Sequence, residues 1–168
     1  MEHDPKRIGC RDPESSSPSC ARSRPTTHPT RHAGREPRYL FPPGFRKSQV
    51  VFNLHRAVEF AARQGGVAIV VEGFFDCLKV HQAGYGNVVA LMGASLSDRQ
   101  SELLHTYFRE LVVMLDGDET GRRASRALVA RWPAASMAWV PAGWQPDQLS
   151  SEEIERILNR GSRAPGAQ

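Results

Sequence analysis

Three carboxylates stand where they could do chemistry. Asp116 and Asp118 flank Gly117, and Glu72 precedes Gly73. In an extended chain the side chains at i and i+2 point the same way, so the two aspartates present their oxygens on one side. Two hard oxygen donors held close repel each other unless a cation lies between them. Magnesium binds few protein carboxylates and fills its remaining positions with water or phosphate oxygens, so this pair suits an ion that also holds a phosphate. Glu72 would complete the ion shell or move a proton. A plainer account exists: a carboxylate at a strand end, beside a helix amino terminus, is stabilised by free N–H groups and the helix dipole. That account suffices for Glu72 alone and is evenly matched for the Asp-Gly-Asp pair. The three acids together, each at the end of an apolar run, favour a metal site.

The elements that must position them follow from periodicity. The run Val67–Val71 stops at Glu72, and residues 111–115 stop at Asp116. Continuous apolar runs rich in β-branched residues read as strands buried on both faces. Each is followed by a helix-like pattern, which predicts β-α units and a parallel sheet, where ligands collect outside the carboxyl ends of the strands. A short strand is predicted at 50–52, a helix at 54–63 closed by Gly65 and Gly66, and a helix over Phe74–Gln82 closed by Gly84. Residues 88–92 read as another buried strand. Ser97 with Gln100 forms a capping box opening a helix through about Phe108. Thr120 is expected to cap the next helix, which runs to about Arg131. A weaker strand at 136–140, a loop over 141–149 and a last helix opened by Ser150 and Glu153 complete the pattern. Gly73 and Gly117 are expected to give the sharp turns beside the acids.

Net charge is +4 with pI near 9.3, a mild lean towards anionic partners. Residues 1–38 hold eight of the basic groups against five acidic ones and six of the twelve prolines, and lack periodicity, so they are expected to be disordered. Cys10, Cys20, His28 and His32 do not have zinc-ligand spacing. Three cysteines in all argue against a disulfide framework. Without a signal peptide or membrane-length apolar run, the expected setting is soluble and cytoplasmic, with no membrane partner. His81 and His105 read as exposed helix residues and Cys77 as a small core residue. Arg46 and Lys47 form either a solvated turn or a phosphate contact, and the same choice stands for Arg122 and Arg123.

Three segments carry a resemblance. Val70-Val71-Glu72-Gly73-Phe74-Phe75-Asp76, Ala90-Leu91-Met92-Gly93-Ala94-Ser95-Leu96-Ser97 and Leu115-Asp116-Gly117-Asp118-Glu119-Thr120-Gly121-Arg122-Arg123-Ala124 resemble the Toprim domain of bacterial primases. Tyr39-Leu40 and the stretch from Phe45-Arg46-Lys47 to Ala57 look like the segment leading into Toprim there. The resemblance implies a compact α/β, Rossmann-like parallel sheet of about four strands with helices on both faces. It divides the chain into a basic tail (1–38), a remnant of the preceding primase segment (39–66), a Toprim domain (67–160) and a second tail (161–168). It further implies Mg2+ or Mn2+ held by Asp116 and Asp118, with Glu72 as ligand or general acid/base. The implied activity is nucleotidyl transfer that builds an RNA primer from nucleoside triphosphates on single-stranded DNA. Arg46, Lys47, Arg122 and Arg123 would contact nucleic acid or phosphate.

Two acids of the primase run Asp-Gly-x-Asp-Pro-Asp are replaced in Ala142-Gly143-Trp144-Gln145-Pro146-Asp147, leaving Asp147 as an additional acid. The resemblance therefore points to an isolated or truncated module working with a helicase or zinc-finger protein. A catalytically weak nucleic-acid-binding or interaction module, as a remnant from a mobile element would be, and a Toprim phosphodiester hydrolase are the alternatives.

Overall fold

The computed structural model describes residues 41–161. The expectations placed on residues 1–38, on Tyr39 and Leu40, on Cys10, Cys20, His28 and His32, and on the carboxyl-terminal tail lie outside the described residues. Four strands form one sheet: β1 (Val67–Val71), β2 (Val88–Ala90), β3 (Glu110–Val113) and β4 (Ala135–Met137), in the order β2-β1-β3-β4. Every pairing is parallel. The helices are α1 (Leu54–Ala62), α2 (Phe74–Gln82), α3 (Asp98–Tyr107), α4 (Glu119–Arg131) and α5 (Ser151–Gly161), with single 3₁₀ turns at Lys47–Gln49 and Pro146–Gln148.

The period of two in the strands sorts the core into two layers. Ala68 and Val70 of β1 pack with Val89, Leu111 and Val113 against Ala57 and Ala61 of α1, Leu104 of α3 and Leu128 of α4. Ile69 and Val71 face the other way, with Val88, Ala90 and Met114, against Cys77 and Val80 of α2 and Ile154 and Leu158 of α5. Both faces of the sheet are covered, which is why its strands read as unbroken apolar runs. The α/β parallel sheet flanked by helices matches the expectation.

Local structure departs from it in instructive places. Residues 50–52 form no strand. Phe52 makes one isolated antiparallel bridge to Ala90. The α4 helix is capped by Asp118, whose Oδ1 accepts from the Gly121 N–H at 2.8 Å, and not by Thr120. Both predicted capping boxes form: Ser97 with Gln100, and Ser150 with Glu153. Gly84 closes α2 with φ +100, as a left-handed glycine cap should. Gly73 and Gly117 do not adopt positive φ. They are small because neighbours approach: a Cβ on Gly117 would sit 1.9 Å from the Pro141 carbonyl oxygen, and one on Gly73 would sit 2.9 Å from Asp76 Oδ2.

Candidate functional site

Adjacent strands β1 and β3 are paired Val70 to Val113, and the ladder extends one step further as the Met114 N–H donates to the Val70 carbonyl at 2.8 Å. The chain therefore leaves both strands at one edge of the sheet, where Glu72 and Asp116 follow. Asp116 is buried, at 9% exposure, and Glu72 is half-buried. Gly117 pins the loop: its N–H donates to the Trp144 carbonyl at 2.8 Å, and its carbonyl accepts from the Gly143 N–H at 3.2 Å. Gly121 packs onto the same turn, where a Cβ would lie 2.2 Å from the Asp116 carbonyl oxygen. The Asp-Gly-Asp-x-x-Gly spacing is thus a packing requirement. Gly121 lets the first turn of α4 close on the Asp116 backbone, and Gly117 lets a second backbone segment, residues 140–141, close over the loop.

That second segment carries the polar partners. Gln145 Nε2 donates to Asp116 Oδ2 at 2.7 Å. The Asp147 N–H donates to Asp76 Oδ1 at 3.1 Å, and the Gly73 N–H donates to Asp76 Oδ2 at 2.8 Å. Asp76 is buried on the first turn of α2. Burial pushes its carboxyl up to about 6, reinforced by the negative charges of Asp116 and Asp147 and opposed by the Gly73 and Asp147 N–H groups. Asp147 Oδ1 is buried without a hydrogen-bond partner. Next to Asp76, burial drives the Cys77 thiol up to about 12, so Cys77 is a core residue and not a nucleophile.

The structure treats the anticipated site residues unequally. Asp116 forms the centre, and Asp147 joins it electrostatically through Asp76. Asp118 is exposed and spends one oxygen on capping α4, the plainer role open to it. Among the described residues no group of three or more His, Cys, Asp or Glu side chains is arranged to hold a metal ion. Magnesium needs only one or two carboxylates when phosphate and water supply the rest, and the donors here are hard oxygens under mutual repulsion. The donor chemistry fits such an ion.

Arg122 Nε donates to the Gly117 carbonyl at 3.2 Å, so Arg122 touches the acid loop. Arg123 is exposed and lines a cleft of about 430 Å³ between residues 94–96 and α4. Arg46 and Lys47 are exposed, with Lys47 Nζ 4.6 Å from the centre of the Phe41 ring. Their segment is tied down by buried Gln100, whose Nε2 donates to the carbonyls of Lys47, Val50 and Leu91. His105 is exposed and stacks on Trp132, while His81 is half-buried and meets Phe60 edge-on.

Sequence reasoning passed over Asp76 as a site residue and Gln145 as a partner of Asp116. The Gly73-x-x-Asp76 spacing was a usable signal, since an acid at the third helical position reaches back to the residue before the helix. Nothing local marks Gln145.

The Toprim domain family profile matches residues 66–136. The DNA primase of Aquifex aeolicus is 32% identical over 136 residues, which is 74% of this chain and 27% of that protein. The DNA primase of Staphylococcus epidermidis is 32% identical over 123 residues, 69% of this chain and 20% of that protein. Among solved structures, the zinc-binding and RNA polymerase domains of the Aquifex aeolicus primase superpose with a TM-score of 0.63 at 29% identity, covering 77% of this chain and 34% of that one. A DnaG primase catalytic domain bound to single-stranded DNA gives a TM-score of 0.58 at 27% identity, covering 69% and 40%. The chain thus spans about a quarter or less of the length of these curated relatives. Among the described residues no helix is long and apolar enough to cross a membrane. Residues 66–136 thus carry a Toprim domain, and the relatives and solved structures that the chain resembles are bacterial primases.

Proposed function

We propose that this chain supplies the metal-binding half of a primase-like, magnesium-dependent nucleotidyl transfer that makes RNA primers on single-stranded DNA in the cytoplasm. The observation that carries this reading is the buried Asp116, held at the carboxyl edge of the sheet beside Asp76 and Asp147, with Asp76 pushed up to about 6. Like charges held this close at the carboxyl edge of a parallel sheet suit a site that receives a cation. Asp116 would hold the ion with at most one further acid of the set Glu72, Asp118 and Asp147, while water and phosphate fill the remaining positions. Bound there, Mg2+ or Mn2+ would neutralise charge on the triphosphate as the new phosphodiester forms and pyrophosphate leaves. Glu72 takes the proton from the attacking hydroxyl. Arg122, fixed on the Gly117 carbonyl, and Arg123 contact nucleotide phosphates, while Arg46 and Lys47 track the template backbone. The relatives are several times longer than this chain, so a helicase or zinc-finger partner, or further primase segments, complete the machine.

The test is template-directed incorporation of labelled ribonucleotides with Mg2+, run alone and with the amino-terminal half of a primase catalytic core supplied separately. Magnesium-dependent product that disappears in Asp116→Asn is the expected result. Product indifferent to that substitution, or none in either setting, contradicts the proposal.

One observation favours a second reading, a nucleic-acid-binding module with little catalysis. The Gln145 amide donates to Asp116 Oδ2, and Gln145 stands where the primase run has an acid. Single-strand binding with no uptake of Mg2+ or Mn2+ would select it.

A further inference from the structure

We propose that the surface formed by Trp139, Arg122, Arg156 and Arg160 is a second binding site for single-stranded nucleic acid, separate from the Arg46 and Lys47 segment. Trp139 follows β4, and its neighbours Ala138 and Val140 are buried, so the alternation of an extended chain turns the indole outward. It is 50% exposed, a large apolar ring that the core does not use. The Arg122 guanidinium carbon lies 6.0 Å from the ring centroid. Arg156 and Arg160 are one turn apart on α5 and share a face. Together these residues line a cleft of about 440 Å³ that also contains Pro141 and Glu153. The Glu153 carboxylate is engaged, accepting from the Ser150 N–H at 2.8 Å. Glu152 offsets part of the charge of Arg156 from one turn earlier. The cleft still presents three guanidiniums against one carboxylate, and neither ion pair found among the described residues uses any of the three.

An aromatic face beside cations that outnumber the nearby acids fits a base stacked on the ring and phosphates on the arginines. A duplex keeps its base faces covered, and an acidic peptide offers charge with no ring to stack, so a single strand is the occupant. The surface also borders the acids. Arg122 Nε donates to the Gly117 carbonyl, and the Pro141 carbonyl closes on Gly117. A strand leaving the patch therefore arrives at the Asp116 loop. Binding here does not depend on the reaction proposed above and is measured without divalent metal.

The full chain is titrated, in chelator, with a labelled oligothymidylate of about 12 nucleotides, within the span of common single-strand sites. Trp139→Ala is expected to weaken binding about fivefold to a hundredfold, the range for loss of one stacked base, while Trp139→Phe retains most of it. Arg156→Glu with Arg160→Glu weakens binding at least about tenfold and flattens its salt dependence by about one unit of slope. Arg99→Glu, an exposed charge reversal on α3 like each of those two, leaves binding within about twofold. Indole emission falls on binding in the wild type and not in Trp139→Phe. Far-ultraviolet dichroism and melting, unchanged for these exposed substitutions, exclude unfolding. Absence of oligonucleotide binding, Trp139→Ala within twofold of wild type, or duplex DNA or ATP bound as tightly as the oligonucleotide overturns the proposal.

Discussion

At Asp76, burial and the charges of Asp116 and Asp147 act together against ionisation. Its carboxyl is therefore expected to titrate near pH 6 in a carbon-detected NMR titration, and Asp116→Asn should lower that midpoint while burial keeps it above 3.8. The sign for stability follows. With a folded value above the unfolded one, the native state holds a proton that the unfolded chain releases between about pH 4 and 6. Stability from this group is complete below pH 4 and lost as pH rises through 6, by up to roughly 3 kcal/mol for a shift of this size. Urea unfolding at pH 4 and pH 7 measures it, and Asp76→Asn should flatten that part of the profile. Gln145 offers a second prediction at this scale. Gln145→Asp replaces the donor on Asp116 with a carboxylate, so divalent-ion uptake should tighten while the metal-free protein loses about 1–3 kcal/mol of stability to the lost hydrogen bond and added repulsion. Calorimetric ion titration and melting, with and without Mn2+, read both effects.

Among the elements, the junction of β3, α4 and the 141–147 segment has the least room. Gly117→Ala and Gly121→Ala would drive a methyl group into the carbonyls of Pro141 and Asp116. Each should destabilise by about 3 kcal/mol or more, and Gly117→Ala should also weaken the ion titration by displacing residues 141–144. Gln100→Leu removes a buried amide that serves three carbonyls, for a loss of about 2 kcal/mol or more and faster proteolysis near residues 46–50. This scale also shows what the sequence made legible. Strands with both faces buried, helices with capping boxes and the glycine stop at Gly84 are local signals, and they appeared at or near their predicted positions. Asp118 instead of Thr120 as the α4 cap was a contest between two good capping residues that only the backbone geometry decides. The Asp76–Asp147 contact spans 71 positions and the Gln145–Asp116 contact 29. Such pairings depend on how α2 packs against the 3₁₀ turn, which no window of sequence contains. The same holds for the glycines at 73 and 117, whose smallness answers a neighbour and not a local bend.

For the molecule as a whole, the parallel sheet gathers its strand ends at one edge, so Glu72 and Asp116 leave neighbouring strands on the same side without any loop having to travel far. The account stands on Asp116 as the centre of a divalent-ion site. The direct measurement is isothermal titration of the full chain with Mn2+ and Mg2+, wild type beside Asp116→Asn, at pH 7.5 where Asp76 is ionised. One saturable uptake event in the wild type, lost in the variant, is the predicted result. Equal uptake by both proteins, or none by the wild type, contradicts it.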